Sequence, residues 1–237
     1  MNLSKGFASL CVLSYERPEF FANTLASLEA NTTAPYELII HDDGSQPGLI
    51  YEYLWDSQSR DGATVITNAH GHNQGQGIAL NRMFKMAKGD PIIKLDADLK
   101  FSAKWLESTI NILNENPDIG LLGLCHYFHE PVDMRNTVLS KRGSCEIHTH
   151  ILGSAFALRR EAWEKLGPFE EHSDAFAEDW VMQQAVSNHE YFKCALPTYE
   201  LVNNVGMGAQ TSSLFVDGNP DHVRKIHKEP YIINKND

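Results

Sequence analysis

Two short segments space carboxylates as chemistry would use them: Lys94-Leu95-Asp96-Ala97-Asp98 and Glu178-Asp179-Trp180. Side chains alternate along an extended segment, so Asp96 and Asp98 are expected on one side of the chain. Two such carboxylates repel unless a cation or hydrogen bonds offset their charge. A hard divalent ion such as Mg²⁺ or Mn²⁺ takes oxygen ligands and keeps open positions for phosphate oxygens. Asp96 and Asp98 are therefore candidate metal ligands facing a diphosphate. D-x-D also occurs in ordinary solvated turns; the apolar run 91–95 that delivers the pair favours the metal. Glu178 and Asp179 open a helix, where the helix dipole favours carboxylates, so capping competes with function there. The functional reading is a general base near an acceptor hydroxyl, with Trp180 as a flat platform for a sugar ring.

The elements that must position these residues alternate through the first 115 positions. Residues 7–13 form an apolar run bounded by polar ones, which predicts a buried strand. Pro18 suits a first helical turn, and Phe21, Leu25 and Leu28 fall on one face behind it. Residues 37–41 predict a second strand, closed by the turn signal Asp42-Asp43-Gly44-Ser45. A helix is expected over 49–59, a strand over Ala63–Thr67 and a helix around 78–87. A Gly/Asn/Gln loop, 71–77, lies between these last two. Residues 91–95 give a fourth strand, and Ser102 is placed to cap a helix with Leu106, Ile110 and Leu113 inward. This order predicts a mostly parallel sheet with helices on both faces. Such sheets bind ligands at the carboxyl ends of their strands. Ser14-Tyr15, Asp42-Asp43, residues 68–73 and Asp96–Asp98 all fall there. The second half predicts strands at 119–127 and 151–158, and a polar stretch over 130–146 that could hold a short hairpin. Helices are expected at Arg160–Leu166 and Glu178–Asn188. Residues from about 204 onward carry few periodic signals.

Composition bounds the function. The chain has 237 residues, 42% hydrophobic and 22% charged, too apolar for a disordered chain. Twenty Lys and Arg against thirty-one Asp and Glu leave a net charge of −11. That balance disfavours bulk nucleic acid as a partner, because such binding needs Lys and Arg against phosphates. The four cysteines, Cys11, Cys125, Cys145 and Cys194, form no C-x-x-C pair and are expected as separate reduced thiols. The N-terminal apolar run is short and quickly charged, and no run of about 18 apolar residues occurs. A soluble, cytoplasmic protein without integral membrane contact is the expectation. Close histidine pairs (His70/His72, His126/His129, His148/His150) lack zinc-finger or H-E-x-x-H spacing, so structural zinc is not expected. His148-Thr149-His150 could instead border an acceptor.

With these pieces in order, the sequence resembles the family 2 glycosyltransferases, which have the GT-A fold. The resemblance runs through Cys11-Val12-Leu13-Ser14-Tyr15-Glu16-Arg17-Pro18 and Tyr36-Glu37-Leu38-Ile39-Ile40-His41-Asp42-Asp43-Gly44-Ser45. It continues through Asn73-Gln74-Gly75-Gln76-Gly77-Ile78-Ala79-Leu80-Asn81 and Gly89-Asp90-Pro91-Ile92-Ile93-Lys94-Leu95-Asp96-Ala97-Asp98. It closes with the segment 152–169, which opens Leu152-Gly153-Ser154-Ala155-Phe156 and ends Gly167-Pro168-Phe169, and with Glu178-Asp179-Trp180. Each motif is modest alone; their order and spacing make the set specific.

The resemblance implies one GT-A domain over 1–237. Residues 1–115 would bind the nucleotide sugar; 116–237 would bind the acceptor and end in a C-terminal tail. Asp43 or Asp42 would hydrogen-bond the base. Ser14, Tyr15, Arg17, Asn73, Gly75, Asn81, Asp96 and Ala97 would line the donor pocket. Asp98, with Asp96, would hold Mn²⁺ or Mg²⁺, and Asp179, beside Glu178, would be the base of an inverting transfer. Gly153, Ser154 and Trp180 would border the acceptor. The donor would be a nucleoside-diphosphate sugar, uridine favoured over guanosine. The acceptor would be a saccharide, a lipid-linked glycan or another hydroxyl compound, with a modified DNA base left open. One departure concerns the metal: many relatives carry a His in a late segment where this chain has Asn204, so Asn204 or a later His (His222 or His227) would complete the site. Two other readings compete. A sugar-phosphate nucleotidyltransferase would need a Gly-rich basic stretch after the first strand, and Ser14-Tyr15-Glu16-Arg17-Pro18 has no glycine. A non-catalytic nucleotide-sugar-binding module would be expected to lose acidic residues that this chain keeps.

Overall fold

The run around Val12 is apolar on both sides because its strand is covered on both sides. In the computed structural model, which describes residues 7–46, 63–68, 72–126, 138–171 and 178–205, β1 (Ala8–Ser14) is buried at all seven positions. β2 (Tyr36–Asp42) and β4 (Ile92–Leu95) flank it in parallel, and β3 (Ala63–Thr67) extends the sheet beyond β2. Near-continuous apolar strands are the signature of such doubly covered parallel sheets.

Alternation along β1 sorts the core into two layers. Leu10 and Val12 join a cluster with Phe21, Leu25 and Leu28 of α1 (Pro18–Asn31) and Trp105, Leu106 and Leu113 of α3 (Trp105–Glu115). Cys11 and Leu13 face the other way, onto Leu80, Met83 and Phe84 of α2 (Gln76–Met86). Ala162 of α4 (Arg160–Leu166) and Met182 and Val186 of α5 (Glu178–Asn188) complete that second layer. Pro18 opens α1 as its φ preference and missing N–H suggest.

The second half adds β6 (Ile119–Gly123), the hairpin β7 (Val138–Arg142) and β8 (Cys145–His148), β9 (Ala155–Leu158) and β10 (Lys193–Pro197). The nine-stranded order is β3-β2-β1-β4-β9-β6-β10-β8-β7. All run one way except β8 and β9, so the sheet is mostly parallel. β5 (Leu99–Phe101) and β11 (Val202–Asn204) form a separate antiparallel pair. None of the described helices is long and apolar enough to cross a membrane. All four cysteines are buried and free.

Several expectations need correction. Ser102 does not cap α3: its hydroxyl donates to Glu200 O, and Lys104, with φ 59°, precedes the first helical residue. The strand expected over 151–158 begins only at Ala155, because Gly153 and Ser154 form a turn. The strand expected over 119–127 stops at Gly123. β5, β10 and β11 lacked a readable signal; β5 and β11 are three residues each and gain their order from one another. The helix expected over 49–59, and His70, Gly71, His129, His222 and His227, lie outside the described residues.

Candidate active site

The carboxyl ends of β1, β2 and β4 carry the residues expected to line the donor pocket. Ser14 ends β1, buried, with no hydrogen-bond partner for its hydroxyl among the described residues. Glu16 and Arg17 follow at φ 46° and 72°. Two consecutive non-glycine residues in the left-handed region cost about 1–3 kcal/mol each, so other contacts must hold them. One is visible: Glu16 N donates to Ser45 Oγ (2.6 Å), and Ser45 Oγ donates to Asp42 Oδ1 (2.5 Å). Asp42 thus braces the turn after β2 against the turn after β1. Asp43 is committed to a loop. Its carboxylate accepts from Asn68 Nδ2 (2.9 Å), Gln74 N (3.0 Å) and Gly75 N (2.9 Å). Burial raises the Asp43 carboxyl, and these donors oppose the rise. Gly75, at φ 98°, also donates to Asn73 Oδ1, so Asn73 shapes the same loop. Tyr15 stays half-buried beside these acids, and burial raises its phenol.

Asn81, expected to line the donor pocket, has its amide engaged by the 169–171 segment. It is buried in α2, donates to Phe169 O (3.0 Å) and Glu171 Oε1 (2.7 Å), and accepts from Phe169 N (2.9 Å). Its amide closes a helix-to-loop clasp, and the family resemblance alone suggested otherwise. Asn81→Ala is expected to cost about 2–3 kcal/mol by leaving buried groups of Phe169 unpaired. The measurement is the urea midpoint at unchanged m-value; an unmoved midpoint would remove this assignment.

Asp96 and Asp98 do not form the expected same-side pair on an extended segment, because the chain bends at Ala97 and Asp98. Thr24 Oγ1 fixes the bend, donating to Ala97 O (2.7 Å) and accepting from Leu99 N (2.9 Å). Asp98 is buried, with Oδ2 3.3 Å from Arg17 Nη1 and Oδ1 accepting from Asn204 Nδ2 (3.1 Å). β5 and β11 deliver Asn204 to this place by pairing it with Leu99. Asp96 turns to Lys94 instead, Oδ1 to Nζ at 2.5 Å. Burial, with Asp98 and Asp179 nearby, pushes the Asp96 carboxyl up to about 6 against the pull of Lys94.

The base candidate comes from the other half. Asp179 Oδ1 accepts from Trp180 N (2.8 Å), so it does serve the first turn of α5. Its Oδ2 lies directly over the Cα of Gly153, where a methyl group would overlap it. The glycine is required for that approach. Ser154 sets the same turn against β4, its carbonyl accepting from Asp96 N (3.0 Å). Burial raises the Asp179 carboxyl, with Lys94 as the opposing charge, and burial likewise raises Glu178. Trp180 is half-exposed and stacks flat on the His150 ring, centroids 4.1 Å apart and planes 4° from parallel. His148 is instead buried beside Glu146.

Sequence reasoning missed Lys94 as the partner of Asp96. A signal existed for Lys94: a lysine inside an apolar strand, two residues before Asp96, shares its side. No group of three or more His, Cys, Asp or Glu suited to a metal occurs among the described residues.

Comparison with known proteins bears on the family and the fold. The chain is 27% identical over 114 residues to a glucosyl-dolichyl phosphate glucuronosyltransferase of Haloferax volcanii, covering 48% of this chain and 36% of that one. It is 35% identical over 83 residues to an undecaprenyl-phosphate 4-deoxy-4-formamido-L-arabinose transferase of Pseudomonas fluorescens, covering 35% and 24%. The chain therefore spans about a third or less of these relatives' length. Among solved structures it resembles a mannosyltransferase of Pyrobaculum calidifontis in complex with GDP-Man and Mn²⁺. The TM-score is 0.66 at 18% identity, over 84% of this chain and 56% of that one. It also resembles TarS of S. aureus in complex with UDP-GlcNAc, with a TM-score of 0.64 at 14% identity, over 83% and 58%. The fold is GT-A. Residues 9–167, well over half the chain, match the family model for glycosyl transferase family 2, and the chain belongs to that family.

Proposed function

We propose that the chain is an inverting, metal-dependent glycosyltransferase that moves a sugar from a nucleoside-diphosphate sugar to a hydroxyl acceptor. The observation that carries this reading is the approach of Asp179 to Gly153, which sets a buried carboxylate beside the end of β4 that bears Asp96 and Asp98. Residues 1–115 form the donor half. Asp42 and Asp43 organise the base pocket through Ser45, Asn68 and the 73–75 loop, and Tyr15 and Arg17 border the diphosphate. Residues 116–237 form the acceptor half. Asp179 Oδ2 takes the acceptor hydroxyl proton as the oxygen attacks the anomeric carbon from the face opposite the leaving group. Glu178, buried beside it, adds negative charge to the pocket. The Trp180–His150 stack offers the acceptor a flat surface.

The donor set fits a hard divalent cation. Asp96, Asp98, Glu178 and Asp179 outnumber the two cations Lys94 and Arg17 in contact or electrostatic reach of them. Mg²⁺ and Mn²⁺ commonly need only one or two carboxylates when a diphosphate supplies the rest. Asp98 and Asp96 would hold the ion; each Asp98 oxygen keeps a second lone pair beyond Arg17 and Asn204. Asn204 turns its Nδ2 to Asp98, so it orients that carboxylate. A bound ion would offset charge developing on the leaving diphosphate.

Nucleotide sugars in the neighbours and lipid-phosphate acceptors in the names of relatives support the donor class and a lipid-linked or saccharide acceptor. The test is a melting screen of UDP- and GDP-sugars with Mn²⁺. A donor at about 100 times its Kd is expected to raise the melting temperature by roughly 5 °C or more. Asp98→Ala should erase the Mn²⁺-dependent part of that rise. A chain whose melting no sugar nucleotide moves would contradict the proposal.

A further inference from the structure

Lys94 is a charged side chain in the middle of the sheet, 2% exposed, on a strand otherwise made of Ile92, Ile93 and Leu95. An ammonium so deeply buried is costly unless fully engaged. Its Nζ donates to Gly153 O (2.6 Å) and pairs with Asp96 Oδ1 (2.5 Å). Gly153 is the residue whose Cα lies under Asp179 Oδ2. One ammonium therefore touches the donor-side carboxylate and the floor beneath the base, and it lies within electrostatic reach of Asp179 and Glu178. Among the described residues, Arg17 is the other cation beside these acids, and it pairs with Asp98.

Resting on the reading of Asp179 as base, we propose that Lys94 is a positioning residue that locks the Gly153 turn to the donor site and holds the base in its ionised form. Geometry supplies the first part. Lys94, Gly153 and Asp96 form one hydrogen-bonded unit, which Asp96 N to Ser154 O (3.0 Å) closes from the other side. A shift of the turn would carry the surface on which Asp179 rests away from the donor. Charge supplies the second part. The groups facing Asp179 are Lys94 and Asp96 from the end of β4, Glu178 on its own helix and the Trp180 N–H. The turn itself, Gly153 and Ser154, presents no charge. Among the described residues, Lys94 is the one cation in that set. Without it, Asp179 and Glu178 lose the ammonium that opposes the effect of burial on their carboxyls, so the protonated form of the base is favoured.

The experiment compares wild type with Lys94→Met, which fills the same space without charge. The Asp179 carboxyl is titrated by ¹³C NMR, its resonance assigned by its loss in Asp179→Asn. Its midpoint is expected to rise by at least one pH unit in Lys94→Met. Nucleotide release from UDP- and GDP-sugars, with water as acceptor and Mn²⁺ present, gives the kinetic counterpart. The acidic limb of kcat at saturating donor should move up with the midpoint, while an effect confined to Asp96 would appear in KM. An unmoved Asp179 midpoint, or a loss of kcat by the same factor at every pH, overturns the proposal. Lys94→Gln keeps a hydrogen bond to Gly153 O and serves if the methionine variant unfolds; failure of both to fold assigns Lys94 to stability and also overturns it. Full turnover by Asp179→Asn is a separate result that defeats the base assignment while leaving the Lys94 titration readable.

Discussion

Asp179→Asn is expected to remove transfer almost completely, by roughly 10²–10⁴-fold in kcat, the range a positioned general base supplies. The substitution is nearly isosteric. An asparagine oxygen can still accept from Trp180 N, so the first turn of α5 keeps its partner. What disappears is the oxygen over Gly153 that can take a proton. Donor affinity should hold, because the residues after β1, β2 and β4 are untouched. The pH dependence follows from the sign of the shift. Burial raises the Asp179 carboxyl above its ordinary value, with Lys94 restraining the rise. Wild-type kcat should therefore fall as pH drops through that raised midpoint, whereas the residual rate of Asp179→Asn should lack this limb. The same shift predicts stability. A carboxyl whose proton is held more tightly when folded weakens the fold as pH rises through that range. Asp179→Asn removes this contribution, so the variant should melt no lower than wild type at neutral pH. A variant that transfers sugar within tenfold of wild type would locate the base elsewhere.

Gly153→Ala is the second large effect, and it uses the smallest possible side chain. The added methyl would overlap Asp179 Oδ2 and lie 2.7 Å from its Cγ. Either the base or the turn has to move. The turn is tethered by Gly153 O to Lys94 and by Ser154 O to Asp96 N, so displacement of the base is the smaller rearrangement. A misplacement of about 1 Å in a reacting group costs on the order of 100-fold in rate. Overpacking of this kind costs about 1–3 kcal/mol of stability. The expected pattern is a kcat loss on the order of 100-fold, a modest fall in melting temperature and donor binding near the wild-type level. Activity within threefold of wild type would mean that the turn yields freely and that Gly153 has no role in holding the base.

The first half of the fold was legible because its signals are local. An apolar run with a polar boundary reads as a buried strand wherever it occurs, and β1 to β4 each carry one. Turn residues follow β2, and a helix-opening proline follows β1. The carboxylates were legible as candidates for the same reason: each sits next to a strand end or a helix start that is marked locally. Where order depends on a distant partner, the sequence was silent. β5 and β11 are three residues each and exist by pairing across about a hundred positions. Ser102 looks like a cap in isolation, but the chain from Glu200 takes its hydroxyl. Asn81 sits in a loop-and-helix motif and nonetheless serves Phe169 and Glu171.

By itself the sequence placed Asp42, Asp43, Asp96 and Asp98 at or just after the carboxyl ends of their strands, since strand direction is set within a few residues. Only the tertiary structure decided how those acids divide their work. Asp96 and Asp98 part at a bend that Thr24 holds, one going to Lys94 and the other to Arg17 and Asn204. Asp179 meets a glycine 26 positions earlier in the chain, and a buried ammonium from a third segment lies against both that glycine and Asp96. Charges in a low-dielectric interior act on whatever lies nearest in space, and which groups those are is fixed only when the strands and helices have packed.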